Sequence, residues 1–227
     1  MPSTSTAPGT SHERGAFVTL EGIDGCGKST QATILAARLQ SEGREVVRLR
    51  EPGGTVIGEK VRAVLLDPAN AGMCDRAELL LYEASRAQLV CEAIIPALER
   101  GAVVVCDRFH DSTFAYQAGG RGLSEGLVDE ANRLGTCGVT PDVTIVLDLD
   151  PQVAFARATR GGADRLEAEG LAFQERVRAG YARLARREPD RVHMVDGAGD
   201  VSLVSSRVDT CLGEALPWLG GGVVEHG

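Results

Sequence analysis

The residues best suited to chemistry in this sequence lie in a glycine-rich segment near the N-terminus. Residues 22–29, called the phosphate loop below, match the pattern G-x-x-x-x-G-K-[ST] at every fixed position. Glycines allow backbone N–H groups to turn towards phosphate oxygens, and a following helix adds its positive N-terminal end. Lys28 supplies a cation for the β- and γ-phosphates, and Ser29 offers a hydroxyl to Mg²⁺. The residues predicted to contact a nucleoside triphosphate are Gly22, Ile23, Asp24, Gly25, Cys26, Gly27, Lys28, Ser29 and Thr30.

A second polar site follows the apolar segment 103–106, where Asp107 and Arg108 stand side by side. In phosphate-loop enzymes an aspartate at the tip of a neighbouring strand helps to hold Mg²⁺, so we expect Ser29 and Asp107 to form the metal site. Arg108 can clamp a phosphate with two parallel hydrogen bonds. Asp148 ends another apolar segment and is a weaker candidate for Mg²⁺. The alternative interpretation of Asp107 and Arg108 is an ion pair at the surface.

These residues need a scaffold, and short apolar segments alternate with longer amphipathic ones along the chain. The segments predicted to form strands are 17–20, 46–49, 102–106, 143–147 and 192–195. Several are continuous apolar or β-branched runs, which is typical of strands buried on both faces. The sequence therefore predicts an α/β fold, a P-loop three-layer sandwich with a five-stranded parallel sheet flanked by helices.

Helices are expected between these strands. The helix after the phosphate loop carries one apolar face, formed by Ala32, Leu35, Ala36 and Leu39. A long helix is expected over 76–100, and Pro96 should kink it or end it early. The residues predicted to form its inner stripe are Leu80, Leu81, Ala84, Ala87 and Cys91. Ser124 and Asp150 are expected to begin two more helices, the first of which turns inward Leu127, Val128, Ala131 and Leu134.

Bulk composition narrows the class of protein. A chain of 227 residues with 43% hydrophobic content is long enough for one globular domain with a single core. The net charge of −8 argues against a general nucleic-acid or membrane binder, so neither partner is expected. Six cysteines without C-x-x-C spacing, and the lack of any apolar run of about 18 residues, favour reduced thiols and the cytoplasm. Composition also predicts a disordered tail over 1–15 and a flexible tail over 218–227.

Further segments carry a resemblance to a known family that covers roughly residues 17–216. They are 20–30, 50–55, 82–88, 107–108, 112–117 and 119–122, followed by Pro141, Asp142, Asp148, Arg157, Arg160, Asp164 and Arg165. In this order they resemble thymidylate kinases. The resemblance implies transfer of the γ-phosphoryl group of ATP to dTMP, which yields dTDP for dTTP synthesis, with Mg²⁺ as the cofactor. It also implies that residues 16–217 form one kinase domain, commonly assembled as a homodimer.

The resemblance implies roles around the acceptor sugar and phosphate. Asp24 is expected to contact the 3′-hydroxyl of the sugar, while Arg50 and Arg108 hold the acceptor phosphate near the γ-phosphate. Ser112 is expected in the same site, and Tyr116 is expected to lie near the sugar and to disfavour a 2′-hydroxyl. These roles suit phosphoryl transfer, which depends on positioning and on neutralising charge.

The resemblance also implies how the acceptor base is read. Tyr82 is expected to stack on thymine, and Arg86 is expected to hydrogen-bond the base with help from Gln117. An aromatic face combined with a fixed donor can recognise a pyrimidine. The alternative interpretations are that Tyr82 belongs to the ordinary core and that Arg86 is a solvated charge on a helix.

Arginines and glycines mix over 157–168, a composition that suits a mobile lid closing over ATP. The alternative is a solvated loop. Some thymidylate kinases carry a basic residue inside the phosphate loop, where this chain has Gly25 and Cys26, so it resembles the bacterial type in which a lid arginine takes over. We expect Arg157 to contact ATP, and Arg157, Arg160 or Arg165 to stabilise the transferring group. The predicted catalytic residues are Asp24, Lys28, Arg50, Arg108, Arg160 and Arg165.

Other functions stay open at this point. One is a kinase for another or a modified pyrimidine nucleoside monophosphate, which the base pocket would decide. Another is a P-loop regulatory protein, although the Asn-Lys-x-Asp motif that reads guanine in GTPases is absent from the sequence. The third alternative is a non-catalytic relative of these kinases. The presence of Lys28, Ser29, Asp107 and Arg108 argues against this alternative.

Overall fold

The computed structural model describes residues 15–159 and 165–219. Within them, five strands form one parallel sheet in the order β2-β3-β1-β4-β5. The strands are β1 (Phe17–Glu21), β2 (Val46–Arg50), β3 (Val103–Asp107), β4 (Val143–Asp148) and β5 (Val192–Asp196). Each differs from its predicted bounds by one residue at one or both ends. The five-stranded parallel sheet is therefore confirmed.

Helices pack against the sheet from both sides. They are α1 (Lys28–Ser41), α2 (Val56–Leu66), α3 (Asp75–Leu89), α4 (Ile95–Glu99), α5 (His110–Thr113), α6 (Glu125–Gly135), α7 (Pro151–Ala158), α8 (Leu171–Arg187) and α9 (Val201–Ala215). Two short 3₁₀ turns occupy Pro68–Asn70 and Glu167–Glu169. Val18 of β1 packs in one apolar cluster with Leu35 of α1, whereas Phe17 packs in a second cluster with Leu89 of α3. Successive strand residues point to opposite faces, so the core lies on both sides of the sheet.

The parallel register gathers polar residues at one edge. Leu20 of β1 pairs with Asp107 of β3, and Asp107 also pairs with Arg50 of β2. Glu21 ends β1 at the same edge. Carboxyl ends of parallel strands are the usual ligand-binding edge of such sheets, and the site described below lies there.

The long helix predicted over 76–100 is continuous but not uniform. A π-helical turn over Val90–Ile94 separates α3 from α4, and Pro96 lies in the first turn of α4. Proline has no N–H to donate four residues back, so the backbone adjusts just before it. Pro96 thus alters the hydrogen-bond pattern without ending the helical segment.

The predicted inner stripe of this helix was wrong. Leu80, Ala84 and Cys91 are exposed, and Leu80 retains 64% of its accessible surface. The buried face instead contains Glu78, Leu79, Glu83, Ser85, Arg86 and Leu89. Periodicity of apolar residues misplaced the face because three of its buried residues are charged.

The predicted starts of two other helices are confirmed. Asp150 caps α7 by accepting hydrogen bonds from the backbone of Gln152 and Val153, whereas Ser124 precedes α6 without a side-chain cap bond. Leu134 was predicted to point inward on α6. This prediction was wrong, because Leu134 keeps 76% of its accessible surface.

Three predicted features lie partly outside the described residues. Of the N-terminal tail predicted over 1–15, only Gly15 is described, and the lid predicted over 157–168 includes the undescribed residues 160–164. Of the C-terminal tail, Trp218 and Leu219 are described, and Leu219 is buried. Across 15–159 and 165–219, no helix combines the length and the apolar character needed to cross a bilayer.

Candidate active site

A cavity of about 260 Å³ opens at the carboxyl edge of the sheet. At one end, which we call the loop end, it is lined by Lys28, Ser29 and Asp107. At the other, the helical end, it is lined by Tyr82, Thr113 and Gln117. Its remaining lining comprises Asp24, Gly25, Arg50, Glu51, Pro52, Arg62, Leu66, Arg108, Ser112, Tyr116, Leu166 and Glu167. Most of the predicted site residues therefore share one cavity.

The phosphate loop adopts a conformation that requires glycine. Gly22 and Gly25 have φ angles of 133° and 79°. A Cβ on Gly25 would lie 2.1 Å from the carbonyl oxygen of Ala154 in α7, and one on Gly22 would lie 2.6 Å from that of Leu147. Both the backbone conformation and the close packing therefore exclude a side chain at these positions.

The loop leads directly into α1. Gly27 precedes the helix in a left-handed conformation and provides no side-chain cap, which leaves the first N–H groups of α1 for another acceptor. The ammonium group of Lys28 donates to the carbonyl oxygen of Ile23 at 2.8 Å. This bond uses one of its three donors and holds the cation within the loop.

Ser29 and Asp107 meet at the tips of neighbouring elements. The hydroxyl of Ser29 donates a short hydrogen bond to Oδ2 of Asp107. Both are hard oxygen donors of the kind that Mg²⁺ binds, usually with phosphate oxygens and waters completing its six ligands. No cluster of three His, Cys, Asp or Glu residues suited to a metal occurs in the described parts of the chain. The residues present thus fit a magnesium ion that is held largely by a bound nucleotide.

Asp148, the weaker metal candidate, lies in a different environment. Its two carboxylate oxygens accept hydrogen bonds from Arg178 of α8 at 2.5 and 2.8 Å. Asp148 is absent from the lining of the cavity. The ion pair with Arg178 favours a structural role for this residue.

Arg108 is the centre of a network at the middle of the cavity. Its φ angle is 72°, a strained conformation for a residue with a side chain. Its guanidinium donates to Asp24 at 2.5 Å, to Tyr116 at 2.9 Å and to Ser112 at 3.0 Å. Burial acts to raise the pKa of Asp24, but the charges of Arg108 and Lys28 and the hydrogen bonds from Tyr116 and Gln174 together keep the pKa below its ordinary value. Asp24 therefore stays an anion that fixes the arginine.

Three residues of this network were missed by the sequence reasoning. Glu21 is fully buried and accepts hydrogen bonds from the Tyr181 hydroxyl at 2.7 Å and from the Ser112 hydroxyl at 2.5 Å. Gln174 donates to Asp24 at 3.1 Å, and Tyr181 accepts from Arg108 at 3.3 Å. Burial raises the pKa of Glu21. Its position directly after an apolar strand was a sequence signal, whereas Gln174 and Tyr181 lie on α8, which was not predicted.

Arg50 lines the cavity but is engaged with another residue. Its Nη2 donates to both carboxylate oxygens of Glu59 at 2.8 and 2.9 Å, and Nη1 donates to the carbonyl oxygen of Pro52 at 2.9 Å. About half of each charged side chain is exposed, at 44% and 46%. An exposed pair of this kind exchanges partners easily, so Arg50 is able to turn to a phosphate.

Arg86 does not line the cavity, in contrast to Tyr82 and Gln117. It is 1% exposed. The acceptors for its five N–H groups are carboxylates of Glu51 and Glu83, Oδ1 of Asn132, the carbonyl oxygen of Phe109 and Oγ1 of Thr113. Burial acts to lower the pKa of Arg86, but Glu51 and Glu83 raise it above its ordinary value. Direct contact with a base stays a prediction that requires one of these bonds to be exchanged.

The lid arginines take different positions. Arg157 is exposed near the end of α7, the helix that packs against Gly25 of the phosphate loop. Arg165 is buried, where it pairs with Glu78 at 2.6 Å and donates to the carbonyl oxygen of Leu65 at 2.7 Å. Arg160 lies outside the described residues. The structure thus brings Arg157 near the phosphate loop and engages Arg165 elsewhere.

A phosphate loop between β1 and α1, with Asp107 on the adjacent strand, defines a P-loop nucleotide-binding protein. Comparison with known proteins narrows this class. Residues 20–208 match the family model of thymidylate kinase. The chain therefore belongs to the thymidylate kinase family.

Individual relatives agree with this assignment over most of their length. A thymidylate kinase of Solidesulfovibrio magneticus is 50% identical over 208 residues, covering 88% of this chain and 100% of that protein. One from Pseudomonas putida is 50% identical over 197 residues, covering 86% and 95% respectively. The crystal structure of thymidylate kinase from Ehrlichia chaffeensis has a TM-score of 0.72 at 36% identity, and the alignment covers 88% of this chain and 98% of that one.

Proposed function

We propose that the cavity is where this chain, as a member of the thymidylate kinase family, transfers the γ-phosphoryl group of ATP to dTMP and forms dTDP. One observation supports this use of the cavity. The cations Lys28, Arg50 and Arg108 line the same space as an aromatic ring and an amide, those of Tyr82 and Gln117. Such a site accommodates two phosphate groups together with one planar base.

ATP would bind at the loop end. Backbone N–H groups of the phosphate loop and the start of α1 would receive the triphosphate, and Lys28 would exchange the carbonyl oxygen of Ile23 for phosphate oxygens. Ser29 and Asp107 would hold Mg²⁺, which when bound neutralises charge on the phosphates. Arg157 would reach ATP from α7.

dTMP would bind between the loop end and the helical end. Arg108, held by Asp24, would present its guanidinium to the acceptor phosphate, and Arg50 would leave Glu59 to do the same. Asp24 and Tyr116 would face the sugar. These contacts would align the acceptor oxygen with the γ-phosphorus, which is the main requirement for phosphoryl transfer.

The base would lie at the helical end. Tyr82 would stack on its face, and Gln117 would meet its edge. Arg86 supports this end from behind, through its bond to Thr113. Arg160 and Arg165 stay candidates for the charge that develops on the transferring group, within a lid over 157–168 of a single kinase domain.

A coupled assay over a panel of nucleotides tests this proposal. With ATP and Mg²⁺, we expect dTMP to have the highest kcat/KM in a panel of dTMP, dUMP, UMP, CMP and GMP. A higher value for another member would favour the alternative of a different pyrimidine kinase. Turnover of none of them, with slow ATP hydrolysis alone, would favour a regulatory protein.

We also propose that the chain forms a homodimer through α2, α3 and α6. These helices pack side by side and leave large apolar side chains exposed, among them Ile57 at 53%, Leu80 at 64% and Leu134 at 76%. Such residues are typical of an interface. Sedimentation velocity should give a dimer mass for the wild type and a monomer mass for the double variant Leu80→Glu with Leu134→Glu. A monomeric wild type would contradict the proposal.

The cytoplasm is our proposed location for this enzyme. All six cysteines have free thiols. The sulfur atoms of Cys91 and Cys137 lie 3.7 Å apart and are not joined by a disulfide. This pattern is typical of a reducing compartment.

A further inference from the structure

A buried carboxylate outside the cavity faces a residue that lines it. Glu78 of α3 is 1% exposed and is absent from the cavity lining. Its Oε1 accepts a hydrogen bond of 2.8 Å from Nε2 of Gln117, which lies in the π-helical segment Phe114–Gly120. Gln117 is thus fixed from behind by Glu78.

The environment of Glu78 keeps it ionised. Arg121 donates to its two oxygens at 3.2 and 3.0 Å, and Arg165 pairs with Oε2 at 2.6 Å. Burial acts to raise the pKa of Glu78, but the hydrogen bonds from Arg121, Gln117 and Arg165 and the charge of Arg121 together lower the pKa below its ordinary value. An ionised carboxylate accepts hydrogen bonds and donates none.

The charge on Glu78 therefore decides which way the amide of Gln117 points. The two ends of an amide have nearly the same shape, so only the hydrogen-bond partners choose between them. Facing an obligate acceptor, Gln117 must present its NH₂ group to Glu78. Among residues 15–159 and 165–219 no donor reaches its Oε1, and this oxygen is not one of the sealed, unpartnered polar atoms. Oε1 is the group left for a ligand in the cavity.

An acceptor at this position distinguishes between pyrimidines. Thymine and uracil carry a proton on N3 and donate from it, whereas N3 of cytosine is an acceptor. We propose that Glu78 is a positioning residue that holds Gln117 with its oxygen towards the base edge, so that the enzyme accepts bases with an N3 proton and rejects cytosine. This rests on the proposed function, because it requires the base to lie beside Gln117.

The same reasoning predicts the effect of neutralising Glu78. In Glu78→Gln, the amide oxygen would take the place of Oε2, because there it keeps the contacts with Arg165 and with Nη2 of Arg121. The NH₂ group would then take the place of Oε1, where it faces Gln117 and Nε of Arg121. Gln117 would then rotate to offer Oε1 to that NH₂ group and its own NH₂ to the base. The cavity would present a donor, which matches N3 of cytosine and leaves thymine mismatched.

Steady-state kinetics with dTMP, dUMP and dCMP test the proposal. For Glu78→Gln we expect kcat/KM for dTMP and dUMP to fall by about 10- to 100-fold, because a buried mismatch leaves donors unpaired. We expect the value for dCMP to rise, so that the ratio of dTMP to dCMP falls further. Glu78→Asp keeps the charge and should retain a ratio close to that of the wild type. Asp75→Asn removes another carboxylate near Arg121, at 3.7 Å, without touching Gln117, and should leave the ratio unchanged.

If Glu78 had a purely structural role, Glu78→Gln would lower kcat/KM for all three substrates by one common factor, and that result would overturn the proposal. If Glu78→Gln fails to fold by circular dichroism, Gln117→Leu decides instead. This variant should lower kcat/KM for dTMP and leave kcat/KM for dCMP unchanged. An unaltered ratio of the two values would overturn the proposal. A wild type that does not phosphorylate dTMP would contradict the proposed function, whereas an active wild type with insensitive ratios would contradict only the role of Glu78.

Discussion

The two ends of the cavity are built from the same kinds of charged residue in opposite ways. Of the cations proposed to meet phosphates, Lys28 at the loop end binds a backbone carbonyl and Arg50 shares a half-exposed ion pair with Glu59. Behind the helical end, Arg86 is sealed between Glu51 and Glu83. The difference indicates a division of labour. The Arg50 contact, which we propose is exchanged for phosphate oxygens, is half-exposed, while the Arg86 contacts behind the proposed base site are buried.

Energetics explain why this division is effective. Exposed ion pairs contribute about 0–1 kcal/mol, so exchanging one for a substrate costs little. Breaking a buried pair by removing one partner costs about 3–5 kcal/mol, because it leaves an uncompensated charge. Arg50 should therefore be able to move to a phosphate at little cost, whereas Arg86 is held in place behind the proposed base site.

The largest expected effect is a loss of stability when the buried ion pairs behind the helical end are broken. Arg86→Met should lower the free energy of unfolding by about 3–5 kcal/mol, because Glu51 and Glu83 would lose their buried partner. Urea denaturation followed by circular dichroism measures this. The matched control is Arg100→Met, which breaks an exposed pair with Glu45 and should change the value by less than about 1 kcal/mol. Equal losses in both variants would remove the contrast between the two ends.

At the loop end, a substitution should lower activity and leave stability nearly unchanged. Lys28→Met should reduce kcat by about 10²–10³, because a cation aimed at the transferred group is lost, while the unfolding free energy stays close to that of the wild type. Coupled kinetics and urea denaturation give the two values. Lys60→Met, at an exposed position on α2, should leave both unchanged. A large loss of stability in Lys28→Met would show that this lysine is structural.

His110, a largely buried residue of α5, should make stability depend on pH. Burial lowers the pKa of His110 to about 4 from 6.5, more than Asp111 raises it, and its Nδ1 is buried without a partner. The unfolded chain therefore binds a proton that the folded chain excludes between these values. The contribution of His110 to stability should therefore fall as the pH drops from about 6.5 towards 4, by up to about 1.4 kcal/mol per unit, whereas burial raises the pKa of Glu51 to about 7 and gives that carboxyl the opposite slope. Over this range His110→Gln should lose less stability than the wild type in urea denaturation, and parallel profiles would contradict this origin.

The smallest effect concerns the partner of Arg50. Glu59→Gln should change stability by less than about 1 kcal/mol and should lower the KM for dTMP by up to about 5-fold, because Arg50 would no longer have to leave a carboxylate. Initial-rate kinetics at saturating ATP measure the change. A raised KM would mean that Glu59 positions Arg50 instead of competing for it.

Much of the fold followed from local patterns. The five strands were predicted to within one residue at each end, because continuous apolar runs between turns have few other solutions in a parallel sheet. The phosphate loop was predicted because its glycines, its lysine and its serine act within one short segment. Glu21 was missed despite a local signal, since it is the last residue of β1 and directly follows the apolar segment 17–20.

Positions on α3 were predicted poorly for a physical reason. Apolar periodicity placed Leu80 inside, although Glu78, Glu83 and Arg86 occupy the buried face. Charged residues can be buried only with partners, and the partners of Arg86 lie in β2–α2, α3, α5 and α6. No short segment of the sequence contains all of these partners of Arg86.

The sequence by itself determined the sheet, the phosphate loop and the family, because each depends on residues that are close together or on ordered motifs. Only the tertiary structure decided how the side chains of the site are arranged in space. It showed that Arg86 lies behind the helical end, that Arg165 pairs with Glu78, and that Arg50 pairs with Glu59. The reason is that burial and hydrogen-bond partners are properties of the packed chain, and they decide which charges are free to meet a substrate.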